Sequence, residues 1–294
     1  MRKSRFPTGW FTRARRVFGL FIFLWVVLSF PLVCGAQEAP TTTDPVTTGL
    51  ALISEITPSD PGDFTFAVFG DNRGSTTVFE TLLGQINDDP DILFAISLGD
   101  IVGVGTQARF DFFFSQVNRC LRKPLVFAVG NHELMGGGRD LYTTAVGRLN
   151  YSFAFGDAYF IIIDDTGPSG IDPAFEEWLK GELTAAGGYG KTFVFMHVPL
   201  YNPAGTDIRH SLSPGPARRL MDILSRYRVT HIFCSHIHGY YSGDWEGIPY
   251  TISGGAGAPL VGTDPQHYFF NYLRVHVKGA SVTIEVVPVN GHPQ

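Results

Sequence analysis

Phe64-Thr65-Phe66-Ala67-Val68-Phe69-Gly70-Asp71-Asn72-Arg73 is the stretch that decides the fold. Six apolar and β-favouring residues read as a buried strand, and the strand stops at a glycine followed by three polar residues. The arrangement recurs along the chain. Ile92 to Leu98 stops at Gly99-Asp100, Leu125 to Val129 at Gly130-Asn131-His132-Glu133, Thr192 to Met196 at His197-Val198-Pro199, and Val229 to Cys234 at Ser235-His236-Ile237-His238. Five strands thus end in side chains able to bind a metal. In α/β sheets the carboxyl ends of strands carry ligand sites, because the turns there present side chains from a rigid support.

Segments of helical period separate these strands, which is the α/β signature. A helix is expected from Thr77, with Glu80 three residues on as a capping-box pair. Residues 106 to 122 place Phe110, Phe113, Phe114, Val117 and Leu121 on one core-facing stripe. Further helices are expected over Pro173 to Ala186 and Pro216 to Tyr227. Hairpins are expected where Tyr151 to Phe155 meets Tyr159 to Ile163 around Gly156-Asp157, and where Phe269 to Val277 meets Ser281 to Val287 around Lys278-Gly279.

The strand-end donors are carboxylate, amide and imidazole, without thiolate. That set suits one or two divalent transition-metal ions, Mn, Fe, Zn or Co, in a catalytic site better than a structural zinc cage. Asp100 can bridge two cations, and Asn131 adds a carbonyl oxygen without charge. Two ions about 3.5 to 4 Å apart can clamp a phosphoryl group and generate hydroxide at neutral pH, a geometry suited to in-line phosphoester hydrolysis.

The series Asp71, Gly99-Asp100, Gly130-Asn131-His132-Glu133, His197 and His236-Ile237-His238 resembles the calcineurin-like metallophosphoesterase family, over most of residues 62 to 290. The Gly-Asn-His-Glu block is its most specific part. The resemblance implies an α/β fold, a four-layer αββα sandwich of two mixed β-sheets flanked by helices. It also implies that Asp100, Asn131, His197 and His236 hold one metal, and Asp71, Asp100 and His238 the other. His132 matches the histidine that faces substrate and assists the leaving oxygen. The activity implied is hydrolysis of a phosphate mono- or diester by metal-activated hydroxide, on a small-molecule or exposed phosphoester substrate. The alternative is a degenerate member that keeps the fold and binds without turnover.

The chain departs from that family's pattern at three places. Arg73 stands where the family carries a histidine, and a guanidinium has no lone pair for a metal, so one site is short of a ligand. Arg73 then either supplies positive charge and holds a phosphate oxygen, or turns away to pair with a carboxylate. Gly103 replaces the tyrosine of purple acid phosphatases, which argues against an iron-tyrosinate enzyme, and Ser235 replaces a glycine. Tyr201, Asn202, Arg209 and His210, in a Pro/Gly-rich loop, are candidates for the substrate rim, with Tyr201 and His210 foremost. Gly254-Gly255-Ala256-Gly257-Ala258 lacks the ending of a phosphate loop and reads as close packing near the centre, while Asp164 and Asp165 read as turn or supporting residues.

Composition bounds the rest. The chain has 294 residues, 44% of them apolar and 17% charged, with 34 Gly and 25 Phe, which excludes disorder and coiled coil. The net charge of -5 is an average over unlike parts. Residues 1 to 36 carry six basic and no acidic side chains, so the remainder has 16 basic against 27 acidic residues, or -11. No nucleic-acid backbone binding is expected of so acidic a surface. The basic start, the apolar run Val17 to Val33 and the small residues to Ala36 read as a signal peptide or N-terminal anchor, with Arg15-Arg16 similar to a twin-arginine leader. The expected address is extracytoplasmic: periplasmic, secreted, or held to a membrane through that segment alone. Residues 37 to 61 read as a flexible linker and 62 to 294 as the metallophosphoesterase domain. Cys120 and Cys234 are too few for a disulfide scaffold and read as free thiols.

Overall fold

Phenylalanine fills the seam where two β-sheets meet. In the computed structural model, which describes residues 43–167, 171–205 and 208–291, the ring of Phe66 stacks on Phe94 at 5.5 Å and meets Phe160, Phe193 and Phe195 from the opposite sheet. The export reading of residues 1 to 36 lies outside the described residues. Among the described residues no helix is long and apolar enough to cross a membrane.

The elements run α1 (Pro45–Glu55), β1 (Asp63–Phe69), α2 (Thr77–Asp88), β2 (Ile92–Ser97), α3 (Gln107–Cys120), β3 (Leu125–Phe127), α4 (Gly138–Ala145), β4 (Tyr151–Phe155), β5 (Ala158–Ile162) and α5 (Pro173–Ala186). They continue with β6 (Lys191–Phe195), α6 (Pro214–Leu224), β7 (His231–Cys234), β8 (Tyr240–Trp245), β9 (Ile248–Ser253), β10 (Asn271–Lys278) and β11 (Ser281–Pro288). One sheet has the order β11-β10-β1-β2-β3 and the other β4-β5-β6-β7-β9-β8. Both are mixed: β1, β2 and β3 run parallel, as do β5, β6, β7 and β9, and antiparallel hairpins form every edge but that of β3.

Period-two alternation assigns the layers. Phe66 points across the seam, whereas Phe69 turns outward to Phe79 of α2 at 5.8 Å. On β6, Phe193 and Phe195 face the seam, while Val194 and Met196 join the cluster formed with Leu179 and Leu183 of α5 and Leu220 and Leu224 of α6. The result is helices, sheet, sheet, helices, the expected α/β sandwich. Cys120 and Cys234 are free thiols, as expected.

Two local expectations are corrected, and two elements are added. The stretch 37 to 61, expected as a linker, contains α1. Asp44 caps it by accepting the Thr47 N–H at 2.8 Å, and Val46 and Ile53 are buried. Gly49 lets this helix lie against Leu125 of β3, where a Cβ would overlap the Leu125 carbonyl. The capping box at Thr77 and Glu80 does not form. Thr76 is the N-cap, with no side-chain cap bond, and Glu80 instead accepts from Gln116 and pairs with Arg119, both on α3. The short α4 and the β8-β9 hairpin add to the expected elements. Their tertiary anchors, such as buried Tyr142, outweigh a weak local pattern.

Buried His231, on β7, gives the fold a pH dependence. Its Nε2 meets Thr251 Oγ1 at 2.9 Å, and burial pushes its pKa down to about 4 from 6.5. Between those values the unfolded chain holds a proton that the folded chain does not, so stability falls as pH drops through this window, by up to about 3 kcal/mol. Denaturant unfolding of His231→Gln is expected to show a shallower loss from pH 6.5 to 4 than the parent chain. Parallel pH profiles would exclude His231 as the cause.

Candidate metal centre

The carboxyl ends of β1, β2, β3, β6 and β7 converge, and the backbone there is strained to aim the side chains. Asp71, Arg73, Asp100 and His236 have φ between 45° and 68°, a left-handed region that L-residues rarely enter. Each costs about 1 to 2 kcal/mol, so the surrounding contacts must hold them there. Gly130 and Gly254 provide the room: a Cβ on the first would overlap Asp100 N, and one on the second would press on Asp71 Oδ2. The glycine run 254 to 258 thus packs against the centre, as expected.

One group of donors closes around a single point. His197 Nε2 lies 3.1 Å from Asn131 Oδ1, 3.2 Å from His236 Nδ1 and 3.3 Å from Asp100 Oδ1. Four ligand atoms from four strand ends are therefore aimed at one another. His197 Nδ1 meets the Leu98 carbonyl at 2.8 Å, which orients Nε2 inward, the usual support for a metal-binding imidazole. Asp165 holds the same loop, accepting from His197 N at 3.2 Å and Val198 N at 2.7 Å.

The second group shares Asp100. Asp71 Oδ1 is buried, has no hydrogen-bond partner, and faces His238 Nε2 at 3.4 Å. His238 Nδ1 meets the Pro259 carbonyl at 2.7 Å, so its Nε2 also points inward. Asp71 Oδ2 is already engaged, by Ser235 Oγ and by the His236 N–H at 2.7 Å. Ser235, which stands where the family carries a glycine, thus sets its hydroxyl on a candidate ligand. Both groups, Asp100 with His197 and His236, and Asp71 with Asp100 and His238, could hold a cation. The buried unpaired oxygen and the oxygen and imidazole donors fit divalent transition-metal ions.

Arg73 neither turns away nor stands free. Its Nε and Nη2 both donate to Asp100 Oδ2, at 3.0 and 2.8 Å. His132 faces the same oxygen, with Nε2 at 3.8 Å, and its Nδ1 is fixed by the Gly103 carbonyl at 2.7 Å. Glu133, the last residue of the Gly-Asn-His-Glu block, clamps the loops. Its carboxylate accepts the N–H groups of Asp100 and Gly130, each at 2.7 Å, and of Val102 at 3.1 Å.

The electrostatics follow from two carboxylates sunk among histidines. Burial disfavours the Asp71 charge, but the facing His238 and the nearby His197 outweigh it and hold its carboxyl well below the usual range. Burial likewise opposes protonation of His197, and Asp100 and Asp71 outweigh it and raise its pKa. His236 is pushed down to about 4 by burial and by His197. Burial raises Glu133 to about 8, with Asp100 adding to it, and raises Asp165 to about 7.

The expected rim is only partly assembled. The His210 ring lies 6.0 Å from that of His236, and a cavity of about 250 Å³ beside the centre is lined by Asn131, Asp165, Thr166, Arg209, Ser213 and His236. The Tyr201 ring packs edge-on against Trp245 at 6.0 Å, against the apolar cluster under α6, and is not among the residues lining this cavity. Its aromatic body finds more burial there than a wet rim offers.

A profile of the calcineurin-like phosphoesterase family matches residues 64–240. A comparison with curated protein sequences finds no match. Among solved structures, a purple acid phosphatase from yellow lupin (Lupinus luteus) seeds superposes with a TM-score of 0.69 at 17% identity, over 80% of this chain and 53% of that one. GAP50, the anchor in the inner membrane complex of Plasmodium, does so with a TM-score of 0.60 at 14% identity, over 78% and 85%. This chain therefore spans about half the length of the lupin protein. At these identities the likeness is one of fold.

Proposed function

The chain belongs to the calcineurin-like phosphoesterase family, and on that premise we propose that it is an exported, metal-dependent hydrolase of a phosphate mono- or diester. The convergence of Asp100 Oδ1, Asn131 Oδ1, His197 Nε2 and His236 Nδ1 carries this reading, because it gathers four donors on rigid strand ends. Those residues would hold one divalent ion, with Asp71, Asp100 and His238 the candidates for another. A divalent ion there supplies Lewis acidity toward a phosphoryl oxygen and lowers the pKa of water.

The chain's own groups supply the rest. With Nδ1–H donated to the Gly103 carbonyl, His132 Nε2 is the atom that takes up and releases a proton on the substrate side, and it serves the departing oxygen. Arg73 keeps Nη1 beyond the two nitrogens spent on Asp100, and this donor holds a non-bridging phosphate oxygen. The cavity between Asn131 and Arg209, at about 250 Å³, receives the organic group of the ester; its size favours a small one. The acidic remainder of the chain, at -11, disfavours a polyanionic partner such as nucleic acid. Export rests on residues 1 to 36, and a membrane is met only through that segment.

The Arg73 pair with Asp100 also suits the alternative, a protein that binds a phosphorylated ligand without turning it over. A panel of phosphate monoesters and diesters, from nitrophenyl esters to nucleotides and sugar phosphates, separates the two. With Mn²⁺ supplied, hydrolysis of at least one class is expected, and in producing cells the activity should lie outside the cytoplasm. Phosphate binding without turnover by metal-loaded protein would establish the alternative instead, and activity confined to the cytoplasm would contradict export.

A further inference from the structure

We propose that Arg73 takes the place of a second cation, so that the centre holds one divalent ion per chain. The inference rests on the metal-centre reading above and concerns how many ions the centre accepts. Two observations carry it, one of geometry and one of charge.

The donors are unequally free. In the first group Asp100 Oδ1, Asn131, His197 and His236 present four ligand atoms to one point, and the one donor on Asp100 Oδ1, the His132 N–H at 3.0 Å, leaves that oxygen a second lone pair. In the second, Asp100 Oδ2 already accepts two N–H bonds from the Arg73 guanidinium, at 2.8 and 3.0 Å. Asp71 Oδ2 is engaged by Ser235 Oγ and His236 N. Asp71 Oδ1 and His238 Nε2 are the donors left without such a partner. Two free protein ligands are fewer than the three of an ordinary catalytic transition-metal site. The two residues that cause the shortage, Arg73 and Ser235, are departures from the family pattern, and both act on the same pair of carboxylates.

The charges agree. Asp71 and Asp100 are fully buried and bring two negative charges. One divalent ion and the guanidinium bring three positive charges, which leaves a net excess of one to receive a phosphate. A second divalent ion would leave an excess of three, with the guanidinium and both ions crowded around the one Asp100 carboxylate. Like charges at this range in a buried site repel strongly. The bond from the Arg73 N–H to the Asp100 carbonyl at 2.9 Å sets the Arg73 backbone beside Asp100, and the two guanidinium bonds to Oδ2 hold its side chain there.

The test is metal stoichiometry. The full chain is loaded with Mn²⁺ and desalted, its metal is measured by elemental analysis, and its electron paramagnetic resonance spectrum is recorded. One equivalent and the six-line signal of an isolated Mn²⁺ are expected. Arg73→His, which removes the charge and offers an imidazole, is expected to take up a second equivalent and to show a spin-coupled spectrum. Arg73→Lys, which keeps the charge, is expected to stay at one. Retention of one tight equivalent by Arg73→His shows that it is folded. Two equivalents in the parent chain would overturn the proposal and leave the phosphoesterase reading standing, and a single equivalent in a folded Arg73→His would overturn it too. No bound metal in the parent chain would overturn both.

Discussion

Replacing Asp100 by asparagine is expected to abolish metal loading and to lower kcat/KM toward any phosphoester by at least about 10³-fold, the scale of several kcal/mol of lost charge stabilisation. Asp100 is the residue on which the whole centre turns. Its Oδ1 faces His197 Nε2 and accepts the His132 N–H at 3.0 Å, and its Oδ2 holds the Arg73 guanidinium. Asparagine keeps the volume but sets an amide in place of one carboxylate oxygen. Wherever that NH₂ points, it meets a donor or a would-be ligand, and Arg73 loses its counter-charge. The fold should survive, because Glu133 holds the Asp100 and Gly130 backbone independently. Elemental analysis and initial rates on the same sample check this. A variant with normal metal content and rates within a few-fold of the parent would remove Asp100 from the centre.

Changing His132 to alanine is expected to have a different signature. Its Nε2 stands 3.8 Å from Asp100 Oδ2 and belongs to neither donor group, so metal content should be unchanged. General acid assistance is worth about 10² to 10⁴ in rate, and the loss should fall on kcat. It should also depend on the leaving group. An alkoxide needs a proton to depart and should show the full loss, whereas nitrophenoxide leaves as an anion and should be affected much less. A loss independent of the leaving group would assign His132 to positioning, and loss of metal would assign it to the ligand set.

Much of this centre is legible in the sequence because the physics that places it is local. A short apolar strand followed by a polar residue, after a glycine in three of the five cases, marks a carboxyl end that parallel strands bring to one side of a sheet. The Phe-rich strands likewise announce a two-sided burial, since Phe66, Phe193 and Phe195 are each buried in the seam. What escaped is set by contacts distant in sequence. Gly103, read for its lack of a tyrosine side chain, matters for its carbonyl, which orients His132. The Leu98 and Pro259 carbonyls that orient His197 and His238 carry no side-chain signal at all. Glu133 is conspicuous in the sequence, yet its role as a backbone clamp depends on the Asp100 loop lying beside it. The α1 helix was hidden because Thr, Pro and Asp around it lower helix propensity, while the burial of Val46 and Ile53 that stabilises it comes from the sheet. Tyr201 was placed at the rim by proximity to His197 in sequence, and its packing on Trp245 shows why proximity along a loop is a weak guide.

Phosphoester hydrolysis by this chain is expected to depend on a cation held by Asp100, Asn131, His197 and His236. The decisive measurement is hydrolysis of a nitrophenyl phosphate ester by chelator-treated protein while Mn²⁺ is returned in measured amounts. Activity should be absent without metal and should rise with bound metal to a plateau, and it should fail to return in Asp100→Asn. Hydrolysis by fully stripped protein, or none by protein with measured bound metal, would contradict the account.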